Sequence, residues 1–335
     1  MDIKGKRLLV IGGAGLIGSH VVEELLKDDA AGDPMSELKW SHKTPEKIAE
    51  ELTAEGIPVC EKTVAKLMKS LKFALRTCRK KIMCGRKPKP GYREKRNQQF
   101  EEIKRERCRF KKNRLPIISV DSKKKELIGN FKNNGRTWRR DPFDSLDHDF
   151  RSDASYLAVP SGILDTEKNR GMIVLGTSKD TPAFAVDSVV TWWKKVGKTT
   201  YKGANKILIL CDSGGGNSAR SRVWKRDLQV KFCNQFGLNV TVCHYPPGAS
   251  KWNPIEHRYF SQISRNWQGV PLTSLETILN YIRTTRTKKG LTSRAVLNQA
   301  IYEKGQKVSD DEMKSLRIFR HQELPQWNYT IKPQA

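Results

Sequence analysis

"NKILILCDSGGG", residues 205–216, decides how the chain is interpreted. The apolar run from Ile207 to Cys211 is typical of a buried strand, and it ends at Asp212. Three glycines follow, which allow a sharp turn and would leave the Asp212 carboxylate accessible. The turn could also be interpreted as a phosphate-binding loop, but it lacks the Gly-Lys-Ser/Thr ending that such loops carry. The stretch therefore predicts a strand-end carboxylate at a sheet edge.

Two further acidic residues stand at comparable positions. Asp121 ends the apolar run "LPIISVD", residues 115–121, and Glu256 lies in the first turn of a predicted helix after "HYPPGASKWNPIE", residues 244–256. Alone, each has an ordinary explanation, as a turn former or as a first-turn acid stabilised by the helix dipole. Together at one end of a sheet, the three carboxylates would provide hard oxygen ligands for Mg²⁺.

The pattern around these residues alternates strands and helices. "SGILD" and "GMIVLGTS" predict two strands joined by a turn, and "TPAFAVDSVVTWWKKVG" predicts an amphipathic helix with Trp192 or Trp193 in the core. Strand, helix, strand and helix patterns continue to Trp267. Hairpin strands followed by this βαβα order predict an α/β fold, a mixed sheet flanked by helices.

The charge of the chain favours a polyanionic partner. Lys and Arg number 63 against 36 Asp and Glu, a formal net charge of +27. Residues 61–114 alone hold 21 basic and 5 acidic side chains, a net charge of +16. A solvated surface or a flexible tail would also carry such a run. Because the run lies between patterned segments, we expect it to bind nucleic acid.

Residues 44–71 predict two short helices. Thr44-Pro45 is a helix start and Gly56 a stop, and Val64, Leu67, Met68 and Leu71 recur at helical spacing. A tight connection between the helices favours a helix-turn-helix, although a plain helical hairpin has the same pattern. Basic residues of this region are candidate phosphate contacts: Lys62, Lys66, Lys69, Arg79, Lys80 and Lys81. A third, highly charged helix is expected at about residues 93–109.

The N-terminal residues predict something different. "LLVIGGAGLIGSHVVEELLK", residues 8–27, resembles the start of the extended NAD-dependent epimerase/dehydratase family, through Gly12, Gly15 and Gly18. The second strand with its ribose-binding acid does not follow, and no tyrosine has a lysine four positions later. Residues 1–31 are therefore interpreted as a truncated dinucleotide-binding fragment with vestigial glycines and no cofactor site.

The seven cysteines show no metal-ligand spacing and no disulfide framework. The longest apolar run, residues 8–18, is about half of what a membrane span needs. We expect a cytoplasmic chain with no membrane partner.

Three stretches together closely resemble the Rhodopirellula-type DDE transposases of bacterial insertion sequences: "ISVDSKKKELIGNFKNNG", "LILCDSGGG" and "YPPGASKWNPIEHRYFSQISRNWQG". The resemblance runs from about Gly32 to the end. It implies an RNase H-like core with Asp121, Asp212 and Glu256 as the catalytic, metal-binding triad, acting with two Mg²⁺ ions that Mn²⁺ could replace. The 43 residues between the second and third acids exceed the spacing common in related transposases and leave room for a local insertion.

Neighbours of the triad are candidates for DNA contacts. Lys123, Lys124 and Lys125 would hold phosphates, or form a solvated hairpin. Asn253 and His257 would orient Glu256 or touch DNA, with a structural role open for His257. Trp252 would stack on a base or fill the loop.

The expected organisation has four parts: the fragment at 1–31, a helix-turn-helix and basic DNA-binding region at 32–112, the RNase H-like catalytic domain at 113–270, and a C-terminal helical extension at 271–335. The resemblance implies a transposase that cleaves transposon ends, joins them to target DNA and acts as a homo-oligomer on DNA. The opening residues then represent a gene fusion. Two alternatives stay open, an inactive DNA-binding remnant and an NAD-dependent epimerase/dehydratase. The sequence leaves the terminal repeat, the target preference and the number of subunits open.

Overall fold

The computed structural model describes residues 31–32, 39–40, 44–54, 56–71, 73–74 and 91–334. The chain divides into two compact units, Met1–Ile82 and Met83–Ala335. Several predicted features lie outside the described residues: the N-terminal motif with Gly12, Gly15 and Gly18, and the basic residues Arg79, Lys80 and Lys81.

In the first unit, strands β1 (Ala31–Gly32) and β2 (Lys39–Trp40) pair antiparallel. Helices α1 (Pro45–Ala54) and α2 (Glu61–Ser70) follow, as the pattern predicts. The backbone N–H of Lys47 donates to Thr44 Oγ1 at 3.3 Å, so Thr44 caps α1. The two helices share a small core, made of Ile48, Ala49, Leu52, Val64 and Leu67.

The second unit is built on one large sheet. Its strands lie in the order β10-β11-β8-β7-β3-β5-β6-β9, and β4 pairs with the start of β5. The bounds are β3 Ile117–Ser122, β4 Glu126–Ile128, β5 Tyr156–Asp165, β6 Arg170–Gly176, β7 Lys206–Cys211, β8 Asn239–His244, β9 Thr292–Asn298, β10 Ile318–Arg320 and β11 Asn328–Ile331.

Strand directions identify the fold. β3, β5 and β6 run antiparallel in succession, and β7 and β8 then run parallel to β3. The hairpin from β5 to β6 turns at Asn169, which has a φ of 53°. The predicted mixed sheet of the RNase H-like class is confirmed.

Helices cover both faces of this sheet. α3 is Tyr92–Lys112, and α4 is Pro182–Trp192, continued by a π-helical turn Trp193–Gly197 and by Lys198–Thr200. α5 joins Arg222–Asp227 to a π-helical segment Leu228–Asn234. α6 joins a π-helical segment Glu256–Phe260 to Ser261–Asn266, and α7 and α8 are Leu275–Thr284 and Asp310–Ser315. None of the helices in the described ranges is long and apolar enough to cross a membrane.

Successive side chains of β3 point to opposite faces of the sheet and so pack against different helices. Ile118 and Val120 belong to the core that α4 and α5 cover, where Trp192 and Trp193 are both buried. Ile117 faces the opposite layer, with Ile103 and Phe110 of α3. Asp121 shares that second face, because it follows Ile117 at an even spacing.

The C-terminal residues differ from the helical extension expected at 271–335. They contain helices α7 and α8, but also three strands: β9 adds to the sheet beyond β6, and β11 and β10 add to it beyond β8. β9 pairs parallel with β6, and β11 pairs antiparallel with β8. Apolar runs as short as "NYTI" carry too little periodicity to predict a strand, and their partners lie far away in the sequence.

Candidate active site

Asp121 and Asp212 leave neighbouring strands side by side. β3 and β7 are parallel, and Val120 is the partner of Cys211 in their register. The next residue of each strand is an aspartate, so the two carboxylates lie at the same edge of the sheet. Asp121 is 9% exposed, whereas Asp212 is half-buried beside exposed Gly214 and Gly215.

Helix α6 brings Glu256 to the same edge. Gly162 of β5 is the register partner of Asp121, and it has no side chain. A Cβ built there would lie 2.3 Å from Phe260 Cε1 and 3.0 Å from Ile255 Cδ1. The first turn of α6 therefore packs against the sheet opposite Asp121 because residue 162 is glycine.

Hydrogen bonds tie the start of α6 to β3. Asn253 Nδ2 donates to Asp121 Oδ2 at 3.3 Å, and Ser119 Oγ donates to Asn253 Oδ1. The backbone N–H of Ile255 donates to Ser119 Oγ at 3.3 Å. Ser119 and Asn253 are both fully buried. Because Ser119 and Asp121 lie two residues apart on the same strand, they face the same side of the sheet.

The three carboxylates act on each other electrostatically. Burial raises the pKa of Asp121 to about 8, with further contributions from the negative charges of Asp212 and Glu256. Burial also raises the pKa of Asp212, as does the charge of Glu256, although the Gly214 N–H donates to its Oδ1 at 3.2 Å. Burial raises the pKa of Glu256, against the effects of His257 and Lys123. The three predicted acids therefore share one electrostatic site.

The donor chemistry of this site suits a divalent cation. Carboxylate oxygens are the ligands that Mg²⁺ and Mn²⁺ prefer, and a cation would relieve the repulsion that raises the pKa of Asp121. In the conformation described for residues 91–334 and the N-terminal fragments, no three His, Cys, Asp or Glu side chains already form a ligand group. The chemistry of the three carboxylates fits a metal.

The lysines after Asp121 occupy two environments. The Lys123 side chain is 8% exposed; its Nζ lies 2.5 Å from Glu126 Oε1 and 4.5 Å from the centre of the Trp267 ring. Lys124 and Lys125 are exposed. Lys123 thus contacts protein groups beside Glu256, and the other two are available to a ligand.

The remaining predicted residues are spread over both units. Asn253 contacts Asp121 from inside the protein, whereas His257 is exposed and its ring contacts the Lys251 carbonyl. Trp252 is half-exposed and meets Phe100 edge-on, with ring centres 6.0 Å apart. In the first unit, three candidate side chains of α2 are exposed: Lys62, Lys66 and Lys69.

Sequence reasoning missed three residues of this site. Ser119 could have been found from its even spacing to Asp121. His244 ends β8 as the register partner of Cys211, so it lies beside Asp212. Gly162 carries no local signal, because its role depends on a helix that begins 94 residues later in the chain.

The chain is similar to solved structures of the Mos1 transposase. Its paired-end complex with the left transposon end is 13% identical, with a TM-score of 0.44, over 84% of this chain and 73% of that chain. A mariner Mos1 paired-end complex with Mn gives 13% identity and a TM-score of 0.41, over 84% of this chain and 72% of that chain. The corresponding complex with Mg gives 11% identity and a TM-score of 0.40, over 84% of this chain and 74% of that chain. Among curated proteins, none matches the chain.

The sequence matches the Rhodopirellula transposase DDE domain over residues 21–333, nearly its whole length. The match contains the strands that end at Asp121 and Asp212 and the helix that begins at Glu256. The match begins at residue 21, ten residues before residue 31, where the N-terminal fragment was expected to end. The chain therefore belongs to the Rhodopirellula transposase DDE domain family, and it is a DNA transposase.

Proposed function

We propose that Asp121, Asp212 and Glu256 are the catalytic residues with which this transposase cleaves element ends and joins them to target DNA. One observation carries the proposal: two carboxylates end adjacent parallel strands, and a third begins a helix that Ser119 and Asn253 tie to the same strand. This arrangement places three oxygen donors at one sheet edge, beside the open glycine turn at 213–216.

The proposal includes two divalent cations, Mg²⁺ or Mn²⁺, held by these three carboxylates. When bound, such ions activate the attacking water or 3′-hydroxyl and stabilise the leaving oxygen of a phosphodiester. The residues of this chain have separate tasks. Asn253 orients Asp121 through its amide, the packing of Phe260 on Gly162 sets the position of Glu256, and the glycines beside Asp212 leave room for the DNA backbone.

DNA contacts are assigned to both units. Lys124 and Lys125 lie next to the acidic site and are exposed, so we assign them to phosphates near the cleaved bond. In the first unit, we assign Lys62, Lys66 and Lys69 of α2 to the recognition of element ends, together with the basic residues Arg79, Lys80 and Lys81. His257 is exposed beside Glu256 and is assigned to the same substrate.

The organisation that follows has recognition in residues 32–112 and chemistry in residues 113–270. We propose a homo-oligomer as the acting form, since two element ends must be held together, and the nucleoid as its place of action. The gene fusion of an epimerase-like segment at residues 1–31 stays a proposal.

A plasmid-nicking assay tests the function directly. The full chain is incubated with supercoiled plasmid and Mg²⁺, Mn²⁺ or EDTA. We expect metal-dependent nicking that Asp121→Asn, Asp212→Asn and Glu256→Gln each abolish, with DNA binding retained. Asp165→Asn is the matched control, because Asp165 also ends a strand, but at the opposite edge of the sheet. Nicking that survives in all three site variants would overturn the assignment.

The two alternatives give different results in the same experiments. An inactive remnant would bind DNA and never nick it with either metal. An epimerase/dehydratase would gain thermal stability with NAD, which a transposase of this kind would not.

A further inference from the structure

A line of buried hydrogen bonds leads away from Asp212 into the core. His244 Nδ1 lies 2.9 Å from the backbone oxygen of Asp212, and His244 Nε2 lies 3.1 Å from the Tyr329 hydroxyl. Trp224 Nε1 lies 3.0 Å from the same hydroxyl. The three side chains are at most 1% exposed. They join β8, β11 and α5 to the end of β7.

Elementary hydrogen-bond chemistry fixes the direction of every bond in this line. A backbone carbonyl only accepts, so His244 Nδ1 carries the proton that it donates to Asp212. An indole N–H only donates, so the Tyr329 oxygen accepts from Trp224. The Tyr329 hydroxyl proton is then left for His244 Nε2, which accepts it. Each group is satisfied in one way, with a neutral imidazole in its Nδ1–H tautomer.

A neighbouring thiol offers the one competing arrangement within this cluster. Cys211 Sγ lies 3.3 Å from His244 Nδ1 and could donate to it. The Asp212 carbonyl would then face a nitrogen lone pair at 2.9 Å, with two acceptors opposed in a dry environment. Such an unpaired buried carbonyl is costly, so the carbonyl decides the tautomer.

We propose that His244 is a positioning residue that holds Asp212 for metal binding; this inference rests on the proposed function. The two strand-end aspartates are held differently. The Asp121 carboxylate accepts from the Ser122 N–H and from the side chain of Asn253, whereas the Asp212 carboxylate accepts from the Gly214 N–H and the Asp212 carbonyl accepts from His244. Ser213, whose hydroxyl donates to the Tyr245 carbonyl, and then three glycines follow Asp212, so the backbone beyond Ser213 has little stiffness of its own. The buried imidazole holds the backbone at Asp212 itself.

The tautomer is tested first, by NMR of the metal-free full chain labelled with ¹⁵N-histidine. Long-range ¹H–¹⁵N spectra distinguish the two tautomers, and the set of signals missing from His244→Asn assigns the residue among the six histidines. We expect His244 to be neutral with its proton on Nδ1 at pH 7. A proton on Nε2, or on both nitrogens, would overturn the proposal.

Metal affinity is tested next, with Mn²⁺ binding to the full chain measured by electron paramagnetic resonance without DNA. His244→Asn keeps an N–H near the Nδ1 position, whereas His244→Gln keeps a polar group near Nε2 and loses that donor. We expect the dissociation constant for Mn²⁺ to rise about tenfold in His244→Gln and to change little in His244→Asn. Tyr329→Phe, which removes the partner of Nε2, should give an intermediate rise.

Tyr201→Phe is the matched control. It also removes a buried tyrosine hydroxyl, one that donates to Asp165 at 2.8 Å near the opposite sheet edge, and it should leave Mn²⁺ binding unchanged. Equal affinities in the two His244 variants, or an equal loss in Tyr201→Phe, would reduce His244 to a packing role. Absence of Mn²⁺ binding in the unaltered chain would instead remove the proposed function, and this role with it.

Discussion

Gly162 lies directly opposite Asp121 in the β3–β5 pair, and the Phe260 ring occupies the space that a side chain at position 162 would need. The first turn of α6 can approach the sheet only because of this glycine. The distance between the strand that carries Asp121 and the helix that carries Glu256 therefore depends on a residue with no functional group.

Gly162→Ala should separate these two elements. Its Cβ would lie 2.3 Å from Phe260 Cε1, so the ring and the start of α6 must move. Overpacking of this kind costs about 1–3 kcal/mol of unfolding free energy. We expect plasmid nicking, normalised to folded protein, to fall at least tenfold while DNA binding persists.

Gly176→Ala is the control for that experiment. Its Cβ would lie 2.8 Å from Phe184 Cζ, in α4 on the other face of the sheet. We expect a similar loss of stability without the loss of nicking. If both variants nick equally well per folded molecule, the position of α6 does not limit the chemistry.

The side-chain amide of Asn253 also links the start of α6 to β3, so we expect its loss to lower nicking. Asn253→Ala leaves Asp121 Oδ2 without its donor and the Ser119 hydroxyl without its acceptor, in a fully buried place. Unpaired buried polar groups cost about 1–3 kcal/mol each. Nicking should fall about 10–100-fold, and the Mg²⁺ concentration for half-maximal nicking should rise.

Gln229→Ala provides a matched loss of a buried amide away from the site. Gln229 Nε2 donates to the Lys332 carbonyl at 2.8 Å, and its Oε1 accepts from the Arg317 N–H. We expect the melting temperature to fall and the Mg²⁺ requirement to stay unchanged. A raised Mg²⁺ requirement in this variant would show that the assay reports stability alone.

The raised pKa of Asp121 predicts a dependence of stability on pH in the absence of metal. Asp121 has a folded-state pKa of about 8 against an ordinary 3.8, so between these pH values the folded chain binds a proton that the unfolded chain has lost. The free energy of unfolding therefore decreases as pH rises through this range, by up to about 1.4 kcal/mol per pH unit. Below about pH 4 Asp121 is protonated in both the folded and the unfolded chain, so its pKa shift no longer lowers the free energy of unfolding.

Asp121→Asn should remove the contribution of this carboxyl to the pH dependence. In EDTA, we expect its melting temperature to exceed that of the unaltered chain by several degrees at pH 8 and by clearly less at pH 5. Differential scanning calorimetry over this range measures the difference directly. A difference that is constant with pH, or that shrinks as pH rises, would contradict the protonated state of Asp121 in the metal-free protein.

The sequence predicted those parts of the site that depend on local pattern. Asp121 and Asp212 each end an apolar run, and parallel strands bring such ends together, so their proximity needed only the strand assignment. Glu256 was placed in the first turn of a helix by the proline-rich loop before it. All three lie in elements of the expected type, and strands β3, β5, β6, β7 and β8 were each predicted from their apolar patterns, whereas β4 was not.

Tertiary pairing explains what could not be predicted. Tyr329 meets His244 across 85 residues of sequence, and only the pairing of β11 with β8 brings them together. β11 itself has four residues, too few for a periodicity to be recognised. Likewise, the Lys123 ammonium lies between Glu126 and Trp267, and its contact with Trp267 follows from no local motif.

The exposed lysines of α2 should contribute to DNA binding by the first unit. Each side chain that neutralises a phosphate contributes about −0.9 to the slope of log K against log salt concentration. Changing Lys62, Lys66 and Lys69 together to glutamine should therefore reduce the magnitude of the slope for element-end DNA by about 2–3. The binding constant would be measured by fluorescence anisotropy at salt concentrations from about 50 to about 200 mM.

A control with the same change in charge separates local contacts from net charge. Lys194, Lys195 and Lys198 are exposed in the continuation of α4, and none is assigned to DNA. Their triple glutamine variant should keep the full slope, since counterion release depends on phosphates contacted and not on total charge. Equal reductions in the two triple variants would mean that α2 binds DNA no more closely than any other basic surface of the chain.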